Sequence, residues 1–152
     1  MAMLSGRLVQ KIEEHWEEIA DGVITRIRRH PDLPTLAQQS VPELKKWCRD
    51  ILENLGYWLS AVKGEERKRG YEILGRVRYE ESIPLHEAVL RLQLLKDSII
   101  DFVHAQGFTL TSMELYAEEE LEHRVCRFFD VMIYHIVRGY ETAIRVALRA
   151  AS

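Results

Sequence analysis

The sequence predicts an all-α fold: a single-domain bundle of about five helices with a long carboxy-terminal helix, an arrangement compatible with a globin-like bundle. Three observations carry this expectation. Apolar residues recur at spacings of three and four along nearly the whole chain. No run alternates apolar and polar residues as a half-buried strand does. Prolines, glycines and hydroxyl caps fall at the ends of the periodic stretches. At 152 residues the chain fits one domain, residues 1–152, which should bury roughly 70% of the surface its unfolded form exposes.

The first helix is expected from about Leu4 to Arg29, with Leu8, Ile12, Trp16 or Ile19, Val23 and Ile27 on its inner face. His30-Pro31-Asp32-Leu33-Pro34 stops it, because proline cannot continue a helix and biases the preceding residue toward extended backbone. Ser40-Val41-Pro42-Glu43 starts the second, with a hydroxyl cap, proline in the first turn and the glutamate of a capping box. This helix is expected to reach about Val62, bury Leu44, Trp47, Ile51, Leu55, Trp58 and Leu59, and end at Gly64.

EERKRGYEILGRVRYEE reads as a shorter third helix with Tyr71, Leu74 and Val77 or Arg78 inward. Gly70 and Gly75 each weaken it by up to ~1 kcal/mol relative to alanine, so either the helix bends or glycine permits a close crossing. Ser82-Ile83-Pro84 opens the fourth helix, whose stripe is Leu85, Ala88, Val89, Leu92, Leu95, Ile99, Phe102 and Val103, and Gly107 closes it. Thr111-Ser112-Met113-Glu114 is a second capping box. The last helix then runs toward Arg149, ~39 residues and roughly 58 Å, longer than a domain this size is wide. It must break near Gly139 or project.

Charge and composition exclude several classes. The 24 acids exceed the 21 bases, and basic residues cluster only at 26–29 and 67–69, so the chain lacks the basic face that nucleic acid requires. No stretch approaches the ~20 apolar residues of a membrane span, and the amino terminus has no signal-type apolar core. A cytoplasmic location is expected. Cys48 and Cys126 are isolated and read as buried thiols rather than a disulfide or zinc ligands.

Glu120-Leu121-Glu122-His123 is an E-x-x-H, the pair that di-iron bundles place one turn apart on a helix. Those sites need the motif twice. Here it occurs once, among acids suited to the positive start of a helix, so a solvated acidic face is the weightier reading and no metal is assigned. His86, followed by Glu87, suggests a phosphoacceptor, but no phosphotransfer pattern follows; contact with an anionic ligand at a helix start is the role kept for it. His135, near Phe128, Val131 and Met132, is the most apolar-placed histidine and the one haem candidate, with Tyr134 beside it. A packed histidine is the commoner outcome there, and no cofactor is expected. Arg76, Arg78 and His86 surround the turn before the fourth helix and could recognise an anion. Motifs for nucleotide or hydrolase chemistry are missing, so the chain is not expected to be an enzyme.

The last helix carries two apolar stripes: Leu121, Val125, Phe128, Met132, Ile136, Ala143, Val146, and Phe129, Ile133, Val137, Tyr140, Ile144, Leu148. One stripe suffices to join a core. The second, Phe129, Ile133, Val137, Tyr140 and Ile144, is therefore expected to meet a second copy in a homodimer, unless this helix is central enough for the monomer to cover both.

The segment GRVRYEESIPLHEAVLRLQLLKDSIIDFV resembles the amino-terminal helical sensory domain of RsbR and RsbRD stressosome proteins, also found ahead of some histidine kinases and PucR-like regulators. The shared features are R-x-R before a short turn, IPLHEAV with proline at the helix start, and the L-x-L-L-K-x-x-I stripe. The resemblance covers roughly residues 40–140, mostly at packing positions. It implies a non-catalytic input module, globin-like without haem in some members, that dimerises and signals through its last helix to an output domain or partner protein. No STAS, kinase or DNA-binding segment follows Ser152, so the chain is expected to be a stand-alone relative or a piece of a longer protein. No functional residues carry over.

The function expected is thus a cytoplasmic, non-catalytic sensory or regulatory signalling module that dimerises. The alternative is a haem- or small-ligand-binding globin-like sensor. A small metal-dependent helical enzyme using Glu120 and His123 ranks third.

Overall fold

The computed structural model describes residues 2–60, 65–106 and 111–152, with side chains from residue 6 onward. The described residues form seven α-helices and no strand: α1 (Ala2–Glu14), α2 (Trp16–Arg29), α3 (Val41–Leu52), α4 (Leu55–Ser60), α5 (Glu65–Glu80), α6 (Leu85–Ala105) and α7 (Ser112–Ala151). The expected stops at Val62, Gly64 and Gly107 fall outside the described residues.

Two expected helices are each divided. The first breaks at His15, whose Nδ1 meets the Lys11 carbonyl at 2.8 Å and competes for an acceptor at the end of α1. The second breaks at Glu53-Asn54, where the Trp58 indole donates to the Asp50 carbonyl at 3.2 Å. Neither break has proline or glycine at it, which is why composition did not mark them. The two hydroxyl caps were legible: Ser40 Oγ accepts from the Glu43 amide at 3.3 Å, and Thr111 Oγ1 from the Glu114 amide at 3.1 Å.

The core joins Ile12, Ile27, Leu44, Leu52, Leu92, Leu95, Ile99 and Phe129, each burying enough apolar area to stabilise by about 1.5–3 kcal/mol. α2 packs on α3 and α6, α1 on α7 and α4, and α6 on α7. Glu87 is buried in the first turn of α6, where its Oε1 accepts from the Thr35 and Leu36 amides at 3.0 Å each. It thereby satisfies the free N–H groups that begin the 3-10 turn Leu36–Gln38. Ser82, at φ 62°, sits in the left-handed region in the turn joining α5 to α6, and Tyr140 donates to the Ile83 carbonyl at 2.8 Å, tying that turn to α7.

α5 packs above all on α7, and glycine governs how closely. A Cβ on Gly75 would lie 2.3 Å from the Ile136 carbonyl oxygen, and one on Gly139 2.1 Å from the Glu72 carbonyl oxygen. Of the two possibilities open for the third helix, a bend or a close crossing, Gly75 makes the crossing. Gly139 does not break α7, which is continuous over 40 residues. Residues 144–151 are all exposed, so the helix projects.

The interface expectation needs correcting at two positions. Phe129 is 0% exposed and Tyr140 2% exposed within the single chain. Both stripes turn inward there because α1, α5 and α6 all pack against α7. Ile133 and Val137 are half-buried and Ile144 is exposed.

Candidate functional site

Because α5 leans on α7, its other side stands off from α3, and a cleft opens between them. The apolar half is a cavity of about 390 Å³ walled by Ile51 of α3, Trp58 of α4, Tyr71 and Leu74 of α5, and Phe128 and Met132 of α7. The adjoining polar half, about 450 Å³, is lined by Gln39, Glu43, Lys46, Glu81 and Arg91. Trp47, Asp50 and Arg78 line both and form the border between them.

Two ion pairs line the polar half, where among the described residues Glu43 and Arg91 have no ion-pair partner. Lys46 Nζ lies 3.0 Å from Asp50 Oδ2, and Arg78 Nη1 lies 3.0 Å from Glu81 Oε1. Arg91 is 4% exposed and its guanidinium stacks 4.1 Å from the centroid of Trp47. Its Nε has no hydrogen-bond partner, and no carboxylate lies within ion-pair distance of it, among the described residues. The nearby Glu87 carboxylate is turned to the Thr35 and Leu36 amides. Burial, and then repulsion from Arg78, push the Arg91 pKa down to about 9, so the surroundings as a whole disfavour the cation.

A second cation stands at the apolar half. Arg67 lies 4.8 Å from the Tyr57 ring centroid and 5.3 Å from that of Trp58, with Nη1 buried and unpartnered among the described residues. Burial raises the Tyr71 pKa, and the nearby Arg67 partly opposes the rise. Cys48, beneath the cleft on α3, is buried and its thiol is pushed up to about 12, first by desolvation. It is protonated and inert at neutral pH.

Of the four residues expected to bind a ligand, the cleft contains Arg78 alone. His86 is exposed and lines neither half. Tyr134 is 58% exposed and sits edge-on to His135, beside a shallow surface depression with Arg138 and Glu141. His135 is wedged between α5 and α7, its Nδ1 2.6 Å from Glu72 Oε2, and it lines neither half of the cleft. The wide apolar cleft that a haem ligand needs is not at that position. Among the described residues, Glu120 and His123 belong to no cluster of three potential metal donors.

Arg91 was overlooked although the spacing held its signal. Ala88, Arg91, Leu95 and Ser98 recur at three and four, which places a cation on the inward face of α6. Trp47 and Trp58 were expected in the core, yet both are half-buried because they face the cleft. Compared with protein-family models, curated proteins and solved structures, the chain finds no match.

Proposed function

We propose that the chain is a non-catalytic sensory or regulatory module whose cleft binds a small amphipathic anion: a carboxylate carried on an aromatic or aliphatic body. The observation that supports this reading is Arg91, a buried cation without a counter-charge at the polar half of an aromatic-walled cleft. A buried unpaired charge is costly, and an anionic ligand supplies the missing partner while its body fills the apolar half. The inert Cys48 thiol favours binding over nucleophilic chemistry.

Relay through the last helix belongs to the same proposal. Phe128 and Met132 bring α7 into the cleft wall, and Tyr140 of that helix holds the turn next to Glu81. A ligand that prefers one placement of α7 over another would shift the projecting end by population, to the extent of its differential affinity. The homodimer expected from the sequence is assigned to the open part of α7, where Ile144, Val146 and Leu148 are exposed. A cytoplasmic setting and an output partner complete the proposal, as the sequence resemblance implies. No helix among the described residues is long and apolar enough to cross a membrane.

The test is a tryptophan-fluorescence titration with aryl and medium-chain alkyl carboxylates, each set against its neutral alcohol. Saturable quenching or enhancement is expected from carboxylates, weak or no response from alcohols, and loss of the response in Arg91→Met. Alcohols binding as tightly as carboxylates, or an unchanged Arg91→Met, would sink the anion reading. A monomeric mass by light scattering at tens of micromolar would remove the dimer.

A further inference from the structure

We propose a divalent metal site, of zinc type, at His104, Glu118 and Glu122, where the end of α6 meets the start of α7. Glu118 and Glu122 stand one turn apart on α7 and point their carboxylates at the imidazole of His104 in the last turn of α6. One donor atom from each of the three lies within 4.8 Å of the other two. His104 Nε2 is 3.7 Å from Glu118 Oε1 and closer still to Glu122 Oε1.

These separations suit a small cation. Zinc bonds of about 2.0–2.2 Å to nitrogen and oxygen place tetrahedral donors roughly 3.3–3.6 Å apart, near the 3.7 Å between His104 and Glu118, while His104 and Glu122 would draw apart to admit the ion. Three protein donors leave a fourth position for water or a ligand. The mixture of imidazole and carboxylate favours a borderline metal over magnesium or calcium, which take oxygen donors.

The site is distinct from an acidic patch. Glu118 has a side chain only 12% exposed, and among the described residues no lysine or arginine pairs with it or with Glu122. Two carboxylates thus converge on one imidazole, an arrangement in which a dication relieves the repulsion between them. The metal would fasten α6 to α7 on either side of residues 107–110. It lies on other residues than the E-x-x-H of Glu120 and His123, since Glu118 and Glu122 at i and i+4 face α6.

The experiment uses the full chain, stripped with EDTA and dialysed, then titrated with zinc chloride by calorimetry and followed by thermal unfolding. One zinc per chain and a rise in Tm are expected, since binding to the folded state alone stabilises it. His104→Ala and Glu122→Gln should each weaken zinc affinity by about tenfold or more. Both residues are at least partly exposed, and circular dichroism confirms that each variant is folded. Glu120→Gln and His123→Ala should bind as the wild type does. No zinc response in the wild type, or wild-type affinity in both His104→Ala and Glu122→Gln, would overturn the site. An equal response to magnesium would overturn its assignment to a borderline metal.

Discussion

The two sides of α5 follow opposite rules. Toward α7, Gly75 and Gly139 let backbone meet backbone with no room for a methyl group. Toward α3, the same helix borders a cleft into which Arg67 and Arg91 bring polar nitrogens that find no protein partner. The first side is packed to interior density, where every atom removed or added is felt. The second tolerates a vacancy and an uncompensated charge, features that cost stability and are kept at binding sites rather than in cores. One helix is therefore packed backbone to backbone on one side and borders an open cleft on the other.

The largest effect is expected at the tight side. Gly139→Ala forces a methyl group against the Glu72 carbonyl, where backbone must move, and should destabilise by about 3 kcal/mol or more, at the upper end of overpacking costs. Urea unfolding measures it. A loss under about 1 kcal/mol would mean that the crossing is loose and that the contrast between the two sides is false.

A smaller loss is expected where the carboxylate near Arg91 is held away from it. Glu87→Ala leaves the Thr35 and Leu36 amides without their acceptor and should cost about 1–3 kcal/mol. Glu87→Gln keeps an oxygen acceptor and should lose less. Equal losses would indicate that Glu87 acts by its charge on Arg91 rather than as a cap.

The pH dependence sharpens the account of the cleft. Arg91 binds its proton more weakly folded, at about 9, than unfolded, where the guanidinium keeps its ordinary, higher value. Between those values the unfolded chain holds more protons, so this group's contribution to stability rises with pH. Any stability advantage of Arg91→Met over the wild type should shrink above pH 9, by about 1.4 kcal/mol per unit at most. Burial pushes both Cys48 and Tyr140 up to about 12, with the opposite sign; the Arg91 charge lowers both, so their contributions cancel in the difference only well below pH 12.

The sequence carried the helical periodicity, both hydroxyl caps and the long last helix, because these are local properties. It missed the breaks at His15 and Glu53, which depend on a side chain or an indole capturing a carbonyl. It took Phe129 and Tyr140 for an interface because a stripe pattern records burial and not which chain supplies the cover. Arg78 was legible as a ligand candidate from its place before a turn. Arg91 needed the inward face of α6 to be read through a charged residue, and the cluster of His104, Glu118 and Glu122 needed two helices to be brought together.

The central claim is that Arg91 is uncompensated in the free protein. The direct measurement is the unfolding free energy of wild type and Arg91→Met at neutral pH, without added ligand. Stacking on Trp47 opposes the change by about 0.5–2 kcal/mol, but the lowered pKa indicates that desolvation outweighs it. Arg91→Met, which keeps the apolar stem, is therefore expected to be more stable than the wild type by about 1–2 kcal/mol. A variant less stable than the wild type would show that the guanidinium is satisfied within the chain, and would contradict its role as a waiting counter-charge for an anion.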